Sequence, residues 1–104
     1  MSLNSYTDIV PTVVHKNYEW DATKASTNKQ KHCVDFEEAI SALEDPHGLI
    51  FEDTFYDDRT ITLGYSNQAR LLYIITTERR ERTRIISARK ATSHEQKLYH
   101  QGNV

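Results

Sequence analysis

The run Arg82-Thr83-Arg84-Ile85-Ile86-Ser87-Ala88-Arg89-Lys90 sets cations around an apolar centre. A guanidinium offers paired donors in a fixed fork and stays protonated, so Arg84 and Arg89 are suited to holding phosphate oxygens. The plainer alternative is that each pairs with a carboxylate elsewhere in the fold. A second group is Lys24, Asn28, Lys31 and His32, which with Trp20 recur near helical spacing as a polar stripe with an aromatic end. His32 is the residue type that exchanges protons near neutral pH, and Lys31 beside it can hold an anion. Such a stripe is more commonly a solvated helix face. Arg59 follows Asp57 and Asp58, so a local ion pair competes with any role in binding. Tyr99 stands at helical spacing from Glu95, where packing is commoner than chemistry.

Other chemistries find no support in these residues. His15, His32, His47, His94 and His100 form no i, i+4 pair, and no HExxH or CxxC arrangement exists. We therefore expect no metal and no cofactor. Cys33 adjoins His32, but neighbours on a helix do not face each other. Three glycines leave no phosphate-cradling loop, and there is no GxSxG elbow.

These side chains must be positioned by a small protein. At 104 residues, with 38% hydrophobic and 27% charged residues, there is room for one domain. Residues 1–16 show no clear period and contain Pro11, so we expect a flexible arm there and a single domain over 17–104. The single cysteine precludes an internal disulfide framework. No apolar run approaches the ~18 residues of a membrane span, and the N-terminus lacks a signal pattern. The expectation is a cytoplasmic protein with no membrane partner. Charge is unevenly divided. Residues 1–58 hold four Lys/Arg against twelve Asp/Glu, whereas 59–104 hold nine against three. That implies an acidic and a basic surface, or two halves that attract each other within the fold.

Tyr18-Glu19-Trp20 reads as a short strand, and Asp21 as the N-cap of a helix from Ala22 to about Lys31. Asp35 and Glu38 fit a capping box. Phe36, Ala39, Ile40 and Leu43 then give a helical apolar face that Asp45-Pro46-His47-Gly48 ends. The period changes to two. Strands are predicted at Leu49–Phe51, Thr60–Tyr65 and Leu71–Ile75, the last covered on both faces, and the arginine run is the next strand. Glu78-Arg79-Arg80-Glu81 is a polar tip between them. Thr92-Ser93-His94-Glu95 is a capping box opening a final helix. The class is α+β: two N-terminal helices, a roughly four-stranded antiparallel sheet and a C-terminal helix. Regular alternation sends Arg84 and Arg89 to opposite faces of their strand, unless a bulge or the strand end brings Arg89 round.

The ordered set Tyr18-Glu19-Trp20-Asp21, Lys24, Asn28, Lys31-His32, Phe36-Glu37-Glu38-Ala39, Asp45-Pro46, Arg59, Gly64, Arg84-Ile85-Ile86-Ser87-Ala88-Arg89, Ala91, Glu95 and Tyr99 resembles the BrnT family. These are toxins of bacterial type II toxin–antitoxin systems. The chain departs from the family pattern at Cys33, where glycine is common, and at Leu43 and Asp58. The resemblance implies a RelE-like ribonuclease fold and RNA cleavage that arrests translation. It also implies a BrnA-like ribbon–helix–helix antitoxin, with operator DNA bound only through the toxin–antitoxin complex. On that footing we expect a metal-independent endoribonuclease. Its catalytic candidates are His32, Arg59, Arg84 and Arg89, and its substrate-binding candidates are Lys31, Lys24 and Tyr99. The other expectation is a non-catalytic protein that binds antitoxin as co-repressor of its own operon.

Overall fold

A computed structural model describes residues 11–102. The elements run β1 (Thr12–His15), β2 (Tyr18–Asp21), α1 (Ala22–His32), α2 (Phe36–Leu43), β3 (Leu49–Glu52), β4 (Arg59–Tyr65), β5 (Leu71–Arg79), β6 (Arg82–Lys90) and α3 (Ser93–Gly102). One six-stranded sheet takes the order β1-β2-β6-β5-β4-β3. All neighbours are antiparallel except β2 and β6, which pair in parallel at Tyr18–Thr83 and Glu19–Arg84. The expected meander is therefore present as β3 to β6, extended by two strands from the N-terminal side. Thr12–His15 is not part of a loose arm. It pairs with Tyr18–Asp21, because β2 alone leaves its outer edge unsatisfied. The first ten residues of the expected arm lie outside the described residues.

Helix α1 begins where Asp21, in extended conformation, accepts the amide of Lys24 at 3.0 Å. It ends at Cys33, whose φ of 58° closes the last turn in the left-handed region. A glycine would sit there without the Cβ penalty, which for a side chain is about 1–2 kcal/mol. Helix α2 buries Phe36, Ala39 and Ile40 as its spacing requires. Its predicted capping box does not form. The Asp35 side chain caps nothing and instead pairs with Lys29 at 3.0 Å. Glu38 turns inward to Arg70 and Ser66, a stronger claim on a buried carboxylate than a backbone amide. The second box does form: Thr92 and Glu95 exchange side-chain-to-amide bonds at 2.9 and 3.2 Å.

The two sheet faces are covered unequally. Helices α1 and α2 close one face over Trp20, Leu72, Ile74, Ile85 and Ala88, with Val34, Phe36 and Ile40 interleaved. Trp20 meets Phe36 edge-on at 5.8 Å between ring centroids. Among the described residues the other face is covered only at one end, where α3 packs Leu98 and Tyr99 against Leu63 and Leu71. The strand at 71–75 is thus sheltered on both faces only at its start, and Tyr73 and Ile75 remain partly open.

Candidate functional site

The register of β6 decides where its arginines point. Ile75 pairs with Ser87 but Thr76 pairs with Ile85, so Ile86 is an extra residue without a partner on β5. Ile85 and Ala88 consequently both face the helices, fully buried. Arg84, Ser87 and Arg89 fall on the opposite, less covered face, opposite Thr77, Ile75 and Tyr73. The bulge therefore puts Arg84 and Arg89 on one face, which simple alternation does not.

Sharing a face does not give them the same occupation. Both ends of the Arg89 guanidinium are held by Glu95, at 2.8 and 2.9 Å, and its plane lies 3.8 Å from the Tyr73 ring centroid. Hydrogen bonding from Arg89 holds the Glu95 carboxyl below its ordinary range, against the cost of its burial. Arg89 thus ties β6 to α3. Among the described residues Arg84 is held at one end only: its Nη1 donates to Glu19, directly opposite on β2. Glu19 and Arg84 continue across the sheet as a rung with Thr77 and Arg59. Two strand spacings put the Arg59 and Arg84 backbones about 10 Å apart on the same face. Arg59 makes no ion pair with Asp57 or Asp58. It stacks on Tyr56 at 4.2 Å from the ring centroid, on a loop where Phe55 is 89% exposed. Sequence reasoning missed both aromatics, although two aromatic residues beside an arginine are a usable signal for base stacking.

Lys24, Lys31 and His32 stand along α1 on one wall of a cleft of about 240 Å³. Ile86 and Ser87 of β6 form the other wall. The cleft exists because β2 leaves β6 after two residue pairs and α1 takes its place. Asn28, read as part of the polar stripe, does not line it as a free group. Its amide donates to Ala88 O at 2.8 Å and accepts from Ala88 N at 3.1 Å, completing the ladder a strand would have made. It also donates to Val34 O at 3.1 Å. Ser87 lines the cleft and lies three residues from Arg84 on the same face of β6. The strand therefore joins the α1 cations to the arginine rung.

Tyr99 is apart from this group. It is buried under α3 and donates its hydroxyl to Asp45 at 2.7 Å. Burial, then the Asp45 bond, push its pKa up to about 12. Asp45 also accepts the amides of Tyr65 and His47 at 2.8 and 2.9 Å. Burial raises this carboxyl, but the accepted bonds outweigh it and hold it below the ordinary range. Among the described residues no three His, Cys, Asp or Glu side chains are grouped to hold a metal ion. No helix among them is long and apolar enough to cross a membrane.

A cationic sheet face with a basic cleft alongside, on this α+β frame, is a surface suited to a polyanion. Residues 20–95 match the family described as the ribonuclease toxin BrnT of type II toxin–antitoxin systems. Among solved structures, the crystal structure of the Brucella abortus ribonuclease toxin BrnT is similar at 28% identity and a TM-score of 0.54, covering 71% of this chain and 94% of that one. No curated protein matches. The chain belongs to the BrnT family, endoribonuclease toxins of type II toxin–antitoxin systems, which implies an RNA substrate and an antitoxin partner.

Proposed function

We propose that the chain cleaves RNA without a metal, by in-line attack of a ribose 2′-hydroxyl on the adjacent phosphorus, and that this arrests translation. The O2′–P bond forms as the P–O5′ bond breaks, leaving a 2′,3′-cyclic phosphate and a 5′-hydroxyl. The 2′ proton must be removed and the leaving 5′ oxygen protonated, while charge grows on the non-bridging oxygens. Arg84 and Arg59 bind the phosphate and meet that charge. His32 exchanges the proton, and Lys31 and Lys24 hold the flanking backbone. Arg89 and Tyr99 act at one remove, by fixing α3 to the sheet. The antitoxin is a BrnA-like ribbon–helix–helix protein, and operator DNA is reached only through the complex.

The observation that carries this reading is the fixation of Arg84. A guanidinium anchored by Glu19 on an interior strand keeps its remaining donors aimed at one place, so little ordering is left for the transition state. Purified protein is incubated with total RNA in EDTA. Cleavage is expected to fall by about 10²–10³ in Arg84→Ala, the scale of losing one charge-stabilising donor. His32→Ala should lose about 10²–10⁴. RNA left intact by the wild type in EDTA, or cut equally by both variants, sinks the mechanism. Growth arrest on induction, relieved by the adjacent antitoxin, separates this reading from a co-repressor alone.

A further inference from the structure

The hairpin joining β5 to β6 carries arginines that the mechanism above does not use. Arg79 and Arg82 stand directly opposite each other across the hairpin. Like charges in that relation repel and destabilise the pair. Between them Arg80 adopts φ 60°, a left-handed conformation that glycine or asparagine takes with less strain. Among the described residues no carboxylate pairs with Arg79, Arg80 or Arg82. With Arg84 they line a pocket of about 230 Å³, walled on one side by β1, in which Glu19 is the one acid. Repulsion, backbone strain and unpaired cations converge on one small concavity. The repulsion and the unpaired cations are relieved by the same kind of ligand, an anion with several acceptor oxygens.

We propose that this pocket binds a backbone phosphate of single-stranded RNA, adjacent to the phosphate being cleaved, and so sets the register of the substrate. The inference rests on the ribonuclease reading. Arg84 belongs to both sites: Glu19 holds one end, and its strand neighbours lead to the cleft on one side and the hairpin on the other. A strand of RNA lying along β6 then meets cations over the length of the hairpin as well as at the reacting phosphate.

The probe is a short fluorescent 2′-O-methyl RNA, which binds but lacks the attacking hydroxyl. Arg79→Gln/Arg82→Gln should bind it about tenfold more weakly at low salt. The slope of log K against log salt should be shallower by about 1 to 1.5, as expected for two lost single-strand contacts. Lys97→Gln, one exposed charge removed on α3, should bind close to wild type. On cleavable RNA the double variant should raise KM with kcat nearly unchanged. Its thermal melt should be no lower than wild type, because the opposed charges are gone. Arg82→Lys should keep the salt slope. Unchanged affinity and slope in the double variant, with normal binding by wild type, overturn the pocket alone. So does an equal loss in Lys97→Gln, or a loss of antitoxin binding while RNA binding persists. Failure of the wild type to bind the probe overturns both the pocket and the ribonuclease reading.

Discussion

Arg84 and Arg89 are alike in sequence and differ in work because of what stands opposite each. Glu19 takes one end of Arg84 and leaves the other, whereas Glu95 and Tyr73 take all of Arg89. Glu95 is six residues from Arg89, but the partner of Arg84 is not near in sequence. Glu19 lies 65 positions away, so the arginines are legible as cations but not as free or engaged ones. Tyr99 gives the sharpest test at this scale. If its hydroxyl acts by holding Asp45, Tyr99→Phe should leave cleavage of RNA within about twofold and lower stability by about 1–3 kcal/mol, because Asp45 loses a buried partner. The pH dependence follows from the raised pKa. The folded phenol keeps its proton to about 12, while the unfolded one loses it from 10.0. Stability is fully present below 10 and declines as pH rises toward 12. Urea unfolding across that range should show the decline in wild type, and a smaller one in Tyr99→Phe.

The elements themselves are mostly legible, since periodicity reports burial. The face of α2, the switch to period two and the helix cap at Thr92 all follow from local patterns. What local patterns do not contain is the sheet's outer pairing. Strand β1 is recognisable only once β2 is known to need a partner, and the parallel contact of β2 with β6 joins the two ends of the chain. A bulge in β6 is admissible from the sequence, but nothing local places it at Ile86. The Asp35 capping box was a local match overruled by a distant arginine. Gly64 shows how closely these elements approach. A Cβ there would come within 2.1 Å of the Ala42 carbonyl oxygen, which belongs to helix backbone and cannot yield. Gly64→Ala should therefore push α2 off β4 and cost about 2–4 kcal/mol, in the range of severe overpacking. Denaturant titration with unchanged m-value, and a loss below about 1 kcal/mol, would show that the helix can move after all.

Across the whole molecule the acidic and basic halves meet. Glu38 with Arg70 and Glu19 with Arg84 both bridge them, so part of the charge division is structural. The remainder leaves arginines on the sheet face and at the hairpin, which is where a polyanion would lie. Acid should unfasten the Glu38–Arg70 and Glu95–Arg89 bridges. Hydrogen bonding from Arg70 holds Glu38 below its ordinary 4.5, against burial, and Arg89 does the same for Glu95. A carboxyl lowered in the fold stabilises it above the unfolded value and loses that contribution as pH falls through the folded one. Wild-type stability should thus drop below pH 4.5. Glu38→Gln should cost about 1–3 kcal/mol near neutrality, because partly exposed Arg70 loses its charged partner, and show a flatter acid limb in urea unfolding against pH. The parallel contact between β2 and β6 has a consequence in time rather than in energy. Asn28 waits for Ala88 and Glu19 for Arg84, partners 60 and 65 residues further on. A ribosome adding roughly 5–20 residues per second needs several seconds to supply them. Until β6 emerges, neither wall of the cleft has its opposite, and the arginine rung has no strand to stand on. If the cleft and the rung are the site proposed above, a nascent chain has no complete site until β6 has emerged.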